Sequence, residues 1–143
     1  MKISTIEQLS VFIENRSGEL YAITSLLEKE NVSIISIMLS DSSEFGLLRL
    51  LTNEIERAKE VLLKQGFMAQ SSKVIGVKIE NKIGSFNEVV KVLAKHNIEI
   101  LYTYTVNEKG EGLFIFKIDD SKLQNAIDLL KDSNISLISN KDL

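Results

Sequence analysis

The sequence predicts an α+β fold made of two copies of one small β-α-β-β-α-β unit, packed side by side. Three observations predict it: an ungapped internal repeat, an alternating hydrophobic pattern that opens each copy, and an apolar stripe at helical spacing that follows the opening. Sliding the chain on itself by 66 residues sets Gly18 on Gly84, and from Leu9 to Thr52 identities fall at 11 of 44 positions. Shared composition alone gives roughly three. The identities are Val11/Val77, Ile13/Ile79, Glu14/Glu80, Asn15/Asn81, Gly18/Gly84, Leu27/Leu93, Lys29/Lys95, Asn31/Asn97, Ile34/Ile100, Gly46/Gly112 and Leu47/Leu113. Several other pairs exchange one apolar residue for another, as Leu20/Phe86 and Ile23/Val89 do. Duplication explains this economically.

The elements follow in order. Gln8 to Glu14 alternates around Leu9, Val11 and Ile13, and Val74 to Glu80 around Ile75, Val77 and Ile79, the period of a half-buried strand. Leu20, Ile23, Leu26 and Leu27, and then Phe86, Val89, Val90 and Leu93, recur at the spacing that gives a helix one apolar face. Ser33 to Asp41 with Glu44 to Thr52, and Glu99 to Asn107 with Glu111 to Ile118, read as hairpins of β-rich segments around short turns. Second helices are expected over about residues 54–65 and 121–132, and short strands at Phe67 to Ala69 and Ile135 to Ile138 close the copies. This order is that of the ferredoxin-like split βαβ, with helices on one face of each sheet. Residues 1–71 and 72–143 form the two expected domains. The connection Gln70-Ser71-Ser72-Lys73 is too short to let them swing freely, so a rigid pair is expected.

Composition narrows the function. A hydrophobic fraction of 44% and a charged fraction of 26% belong to a globular chain with a core. A unit of half this length is marginal alone, so the copies should pack on each other, and such interfaces host ligands. A net charge of -3 supplies no general field for phosphate backbones or anionic lipid, so neither nucleic acid nor membrane is the expected partner. There is no Cys, which excludes disulfides, thiolate nucleophiles and Cys-ligated zinc and suits a reducing compartment. With no secretory leader pattern or membrane-length apolar run at hand, a cytoplasmic location is expected.

The chemistry is expected in the loop between first strand and first helix of each copy, IENRSGEL and IENKIGSF. Gly18 and Gly84 stand where the chain turns into a helix, and lack of a Cβ there permits close backbone approach. The unsatisfied N–H groups of a first helical turn, with the helix dipole, suit a carboxylate. Asn15 and Asn81 carry an amide oxygen able to accept from an ammonium. An α-amino acid has both groups. Arg16 and Lys82 add positive charge beside the loops. The same residues also fit a plain turn, in which Asn starts the turn and Gly permits tight entry to the helix.

IENRSGEL followed by ITSLLEKENVSII resembles the opening of ACT domains, particularly those of acetolactate synthase regulatory subunits, and the chain as a whole resembles bacterial proteins built from an ACT pair. The resemblance covers nearly the whole chain. It implies a non-catalytic regulatory protein that holds an amino-acid effector at a domain interface, needs no cofactor, and acts on a partner such as an enzyme of amino-acid metabolism, with a homodimer as the expected assembly. Asn15, Gly18 and Leu20 match the effector loop in the first copy, and Asn81, Gly84 and Phe86 in the second. Around them Arg16, Ser17, Glu19, Ser33, Ile34 and Arg49, with Lys82, Ile83 and Ser85, complete the expected ligand-binding set. Many ACT domains have Gly-x-Asn-Ile before the second strand, where this chain has Asn31-Val32-Ser33-Ile34 and Asn97-Ile98-Glu99-Ile100. Glu99 would repel a carboxylate, so the first loop is the expected carboxylate site. Leu20, Ile83 and Phe86 favour an apolar ligand side chain. The alternative is a ligand-free dimerisation or scaffold module.

Other features weigh less. Arg49, where the second copy has Ile115, suits a ligand carboxylate, Asp41 across the hairpin, or an exposed strand face. Tyr102 and Tyr104 share one strand face. His96, the one His, reads as a helix-end surface residue, and with no Cys or second His no transition-metal site is expected. No nucleophile elbow, phosphate loop or dinucleotide motif is present, so no catalytic residue is expected. Lys109 to Phe116 matches an RNA-recognition strand in spacing, but Glu111 and Leu113 stand where stacking aromatics belong.

Overall fold

The computed structural model describes residues 5–14, 17–41, 45–80, 82–106 and 112–143. Within it the chain divides into two compact units, Glu7–Ser72 and Lys73–Leu143, the latter taking in the N-terminal residues as far as Ile6.

The first unit contains β1 (Ile6–Glu14), α1 (Glu19–Lys29), β2 (Ile34–Asp41), β3 (Phe45–Thr52), α2 (Ile55–Lys64) and the opening of β4 (Met68–Ile79). Its strands lie in the order β2-β3-β1-β4. The β1–β3 and β2–β3 ladders are antiparallel, with Leu9 opposite Leu50, Val11 opposite Leu48 and Ile37 opposite Leu50. Directly opposed residues share a face, so Leu9, Val11, Ile13, Leu48 and Leu50 form one apolar surface, onto which α1 sets Ile23 and Leu27 and α2 sets Ala58 and Leu62. Leu27 is wholly buried, which contributes about 1.5–3 kcal/mol relative to leaving it in water.

The second unit repeats the pattern with larger side chains. It holds the remainder of β4, α3 (Ser85–Lys95), β5 (Tyr102–Val106), β6 (Gly112–Lys117), α4 (Leu123–Asp132) and β7 (Ser136–Ile138), with β4 between β6 and β7, and β6 between β4 and β5. Ile75, Val77, Ile79, Phe116 and Ile118 meet Val89 and Leu93 of α3 and Ala126, Ile127 and Leu130 of α4. Gly76 is required by crowding, because a Cβ there would strike Ile6 Cδ1 and Ile138 Cγ1.

All four helices stop in the same way. Asn31 has φ 58°, Gly66 88°, Asn97 55° and Asn134 61°. Asn31 N–H donates to Glu28 O at 3.0 Å and Val32 N–H to Leu27 O at 2.9 Å, and the matching pair of bonds recurs after α2, α3 and α4. This is the Schellman arrangement, which satisfies the last carbonyls and brings an apolar residue, here Val32, Phe67, Ile98 or Ile135, back onto the core. The Asn31/Asn97 identity is therefore a helix stop. Asn takes the left-handed position that glycine fills elsewhere, because its short polar side chain tolerates it.

Two segments differ from expectation. Gln70 to Lys73, expected to be a connection, is continuous strand within β4. Ser72 sits beside β1, where its hydroxyl accepts from Gln8 Nε2 at 3.3 Å, so the segment has a neighbour to pair with. Glu99 to Leu101, expected as strand, precedes β5, and Leu101 keeps a bond to the sheet, N–H to Lys117 O at 2.9 Å. Ile100 instead turns toward the second core. Asn107, Glu44 and Glu111 lie outside the described residues.

Candidate functional site

The two loop–helix junctions are built alike. Gly18 is the N-cap of α1 with φ 90° and ψ -9°, and Gly84 that of α3 with φ 90° and ψ -10°. Neither helix has a side-chain cap, and the first intrahelical bonds run from Ala22 N–H to Gly18 O at 2.9 Å and from Glu88 N–H to Gly84 O at 3.1 Å. The backbone conformation is what demands glycine, since a Cβ at either position would meet nothing within 4 Å. Among the described residues nothing makes the close approach expected at these glycines; the left-handed turn is the observed constraint. Asn15, Arg16 and Asn81 lie outside the described residues.

What surrounds each junction separates the copies. Ser17 and Gly18 are exposed, Glu19 is half-buried, and Leu20 is 37% exposed. Tyr21, 77% exposed, stands in the same helical turn; the sequence reading passed over it, although an aromatic on the solvent side of an amphipathic helix is a visible signal. In the second copy Lys82 lies 3.6 Å from Glu80, Ile83 is fully exposed, and Ser85 N–H donates to Lys82 O at 3.3 Å. Phe86 has a structural task, with ring centroids 4.9 Å from Phe114 and 5.6 Å from Phe116. Each helix also carries its own acid in the first turn, Glu19 or Glu88. A ligand carboxylate would share the helix dipole with it.

Three expected ligand residues are not brought to the loop. The register puts Glu14, which leads into the loop, opposite Phe45, and Ile34 opposite Thr52. Those partners are the two ends of β3, roughly 23 Å apart at the rise of a strand. Ser33 and Ile34 thus occupy the far end of their own sheet from Gly18. There Ser33 N–H donates to Asn53 Oδ1 at 2.9 Å, its carbonyl accepts from Asn53 N–H at 3.2 Å, and Ile34 packs on the core. Arg49 sits opposite Ser10 and Met38, out of phase with the core-facing Leu48 and Leu50 and so on the sheet face away from α1, and its Nη1 donates to Ser40 Oγ at 3.1 Å. The side chain of Asp41 lies outside those described.

The same geometry removes the argument about Glu99. Ile79, which leads to the second loop, is opposite Gly112, whereas Leu101, two residues past Glu99, bonds Lys117 at the other end of β6. Glu99 is exposed there and does not act on the second loop of its own unit. Tyr102 and Tyr104 do share a face and stack, with centroids 6.4 Å apart and planes at 16°. His96 caps the end of α3, with Nδ1 2.9 Å from Val92 O. Among the described residues no group of three or more His, Asp or Glu side chains is placed to hold a metal, and no helix is long and apolar enough to cross a membrane.

Fold and junctions together define a duplicated α+β domain in which each half opens its first helix with a left-handed glycine. The chain belongs to the ACT domain pair family, whose model matches residues 4–143. It is similar to protein BT0572 from Bacteroides thetaiotaomicron, at 25% identity over 94% of this chain and 92% of that one with a TM-score of 0.88. In fold it is similar to the ligand-free regulatory subunit of aspartate kinase from Thermus thermophilus, at 13% identity, 88% and 91% coverage and a TM-score of 0.59. It also shares the fold of an aspartokinase of alpha and beta subunits, at 13% identity, 88% and 87% coverage and a TM-score of 0.57. No curated protein matches the chain.

Proposed function

We propose that this chain is a non-catalytic regulatory protein that binds a small amino acid at the loop–helix junction of its first copy and controls a partner through that occupancy. The observation that carries the reading is the uncapped helix start behind Gly18, repeated behind Gly84. Backbone donors with a helix dipole favour a carboxylate, and Asn15 would take the ammonium. Leu20 and Tyr21 are available to an apolar side chain, whereas Phe86, at the position matching Leu20, packs on Phe114 and Phe116. That difference favours the first copy. Membership of the ACT domain pair family supports the reading, as does the occurrence of this fold in a regulatory subunit of aspartate kinase. An enzyme of amino-acid metabolism is the partner that fits.

A thermal-shift screen against the twenty common amino acids, followed by calorimetry, tests it. A ligand at one hundred times its Kd stabilises the folded state by about 2.7 kcal/mol, and Leu20→Asp should abolish that gain while the unliganded protein melts as before. If no amino acid raises the melting temperature, the sensor reading fails. The second reading, a ligand-free association module, is favoured by Glu19 and Glu88, which already occupy the first turns with negative charge.

A further inference from the structure

The second copy is a poor RNA reader because Glu111 and Leu113 fill the places of stacking aromatics. The first copy does not share that defect. Carried back by the 66-residue repeat, those places fall on Phe45 and Leu47 of β3, and Phe12 of β1 stands where the second copy has Lys78. The ladders set Phe12 and Ser40 opposite Leu47, and Ser10 and Met38 opposite Arg49. Opposed residues share a face. These alternate with the core residues Leu48 and Leu50, so they occupy the sheet face away from α1 and α2. Phe12 is 46% exposed and Phe45 52%, while Met38, Leu47 and Arg49 are half-buried. The positions matching those three in the second copy are Tyr104, Leu113 and Ile115, all buried. The face is open in the first copy where the second is closed.

We propose that this face of the first copy binds single-stranded RNA, with Phe12 and Phe45 each stacking on a base and Arg49 meeting a backbone phosphate. A four-stranded sheet with aromatics on its two central strands, here β1 and β3, is an arrangement that holds unpaired bases. Phe12 and Phe45 are diagonal neighbours of an antiparallel pair, about 7–8 Å apart along the sheet, so each ring takes a separate base. Arg49 follows Leu47 on the same face, and its guanidinium, held at Nη1 by Ser40 Oγ at 3.1 Å, supplies the cation that a phosphodiester attracts. Glu14, opposite Phe45, repels phosphate from the other end of the face and so directs the RNA backbone toward Arg49. A net charge of -3 gives no long-range attraction, so affinity comes from stacking and one cation. Stacking tolerates many sequences because every base has a π-face. The face lies across the sheet from α1 and does not depend on an amino acid at the Gly18 junction.

Fluorescence anisotropy with a short labelled single-stranded RNA of mixed sequence, at low salt, tests it. The parent protein should bind the strand more tightly than the same sequence as a duplex, whose bases are hidden in the stack. Phe12→Ala and Phe45→Ala should each weaken binding about 5- to 150-fold, and Phe12→Tyr should keep most of it. Leu63→Ala, at an exposed apolar position of α2, should bind like the parent. Arg49→Gln should flatten the dependence of log Kd on log salt by about 0.7. Ultraviolet irradiation should cross-link the RNA to the peptides that contain Phe12 or Phe45, a reading that needs no variant. Absence of binding, equal affinity for the duplex, or alanine variants that bind as well as the parent overturns the proposal. So does self-association of the parent that Phe12→Ala/Phe45→Ala abolishes while no RNA binds, because the face then belongs to protein contact. Were the alanine variants unfolded by circular dichroism, cross-links that map away from both phenylalanines would overturn it instead. Failure to bind any amino acid leaves these readings unaffected, so the two sites are tested separately.

Discussion

Replacing Gly18 by alanine should destabilise the fold through backbone strain alone. At φ 90° and ψ -9° an L-residue places its Cβ against its own carbonyl, at a cost of about 1–2 kcal/mol. No second contribution complicates the figure, because a Cβ at Gly18 meets nothing within 4 Å. Gly84 has the same dihedrals to within a degree and the same open surroundings, so Gly84→Ala should cost the same amount. For a folding unit of this size each kcal/mol corresponds to a fall of roughly 4–8 °C in Tm. Asparagine should cost less than alanine at both positions, as it visits positive φ more readily. Urea denaturation followed by circular dichroism reads the difference for Gly18→Ala, Gly84→Ala and the two asparagine variants. Alanine variants within about 0.3 kcal/mol of the parent would refute the reasoning, since the strain would then not exist or the turn would relax for nothing. A large loss at one glycine and none at the other would refute it equally, because the conformations are the same.

Two further outcomes follow from named residues. At Asn31 and Asn97, with φ 58° and 55°, substitution by glycine should leave the melting temperature nearly unchanged while alanine should lower stability by about 1 kcal/mol; thermal melts of the four variants check this. The side chain and backbone N–H of Ser121 bond Asp119 and hold its carboxyl below the ordinary 3.8. A folded-state pKa below the unfolded one means that the ionised form adds stability above 3.8, and that this is lost as pH falls through the lowered value. The stability difference between the parent and Asp119→Asn should therefore shrink in strong acid, and a gap that stays constant from neutral pH downward would argue against the capping role.

Much of the fold was legible because duplication supplied the same pattern twice. Val11/Val77 and Leu27/Leu93 are buried core in both units, and periodicity was enough to place them on strand and helix. The Gln70 to Lys73 strand was not legible: polar residues in a short stretch read as a connection, and only pairing with β1 reveals otherwise. At the site, Gly18 and Gly84 were recognised as turn glycines, and their equal dihedrals follow from the shared motif. Ser33, Ile34 and Glu99 were grouped with the loops by family pattern, which carries no distance. The strand register separates them from the loops of their own sheets, and register depends on long-range pairing that a linear reading does not hold. Asn31 and Asn97 were visible as identities, yet their left-handed role needed φ.

The length of β3 has a consequence for how any effector would be sensed. With Gly18 at one end of the sheet and Ser33 at the other, no single copy can offer a ligand both kinds of residue, whereas copies from two chains could. Binding and association would then be linked equilibria, each strengthening the other by the same factor. The apparent affinity would rise with the amount of chain present, and dilution alone would release the ligand. Such an arrangement responds to the product of two abundances, that of the metabolite and that of the protein itself.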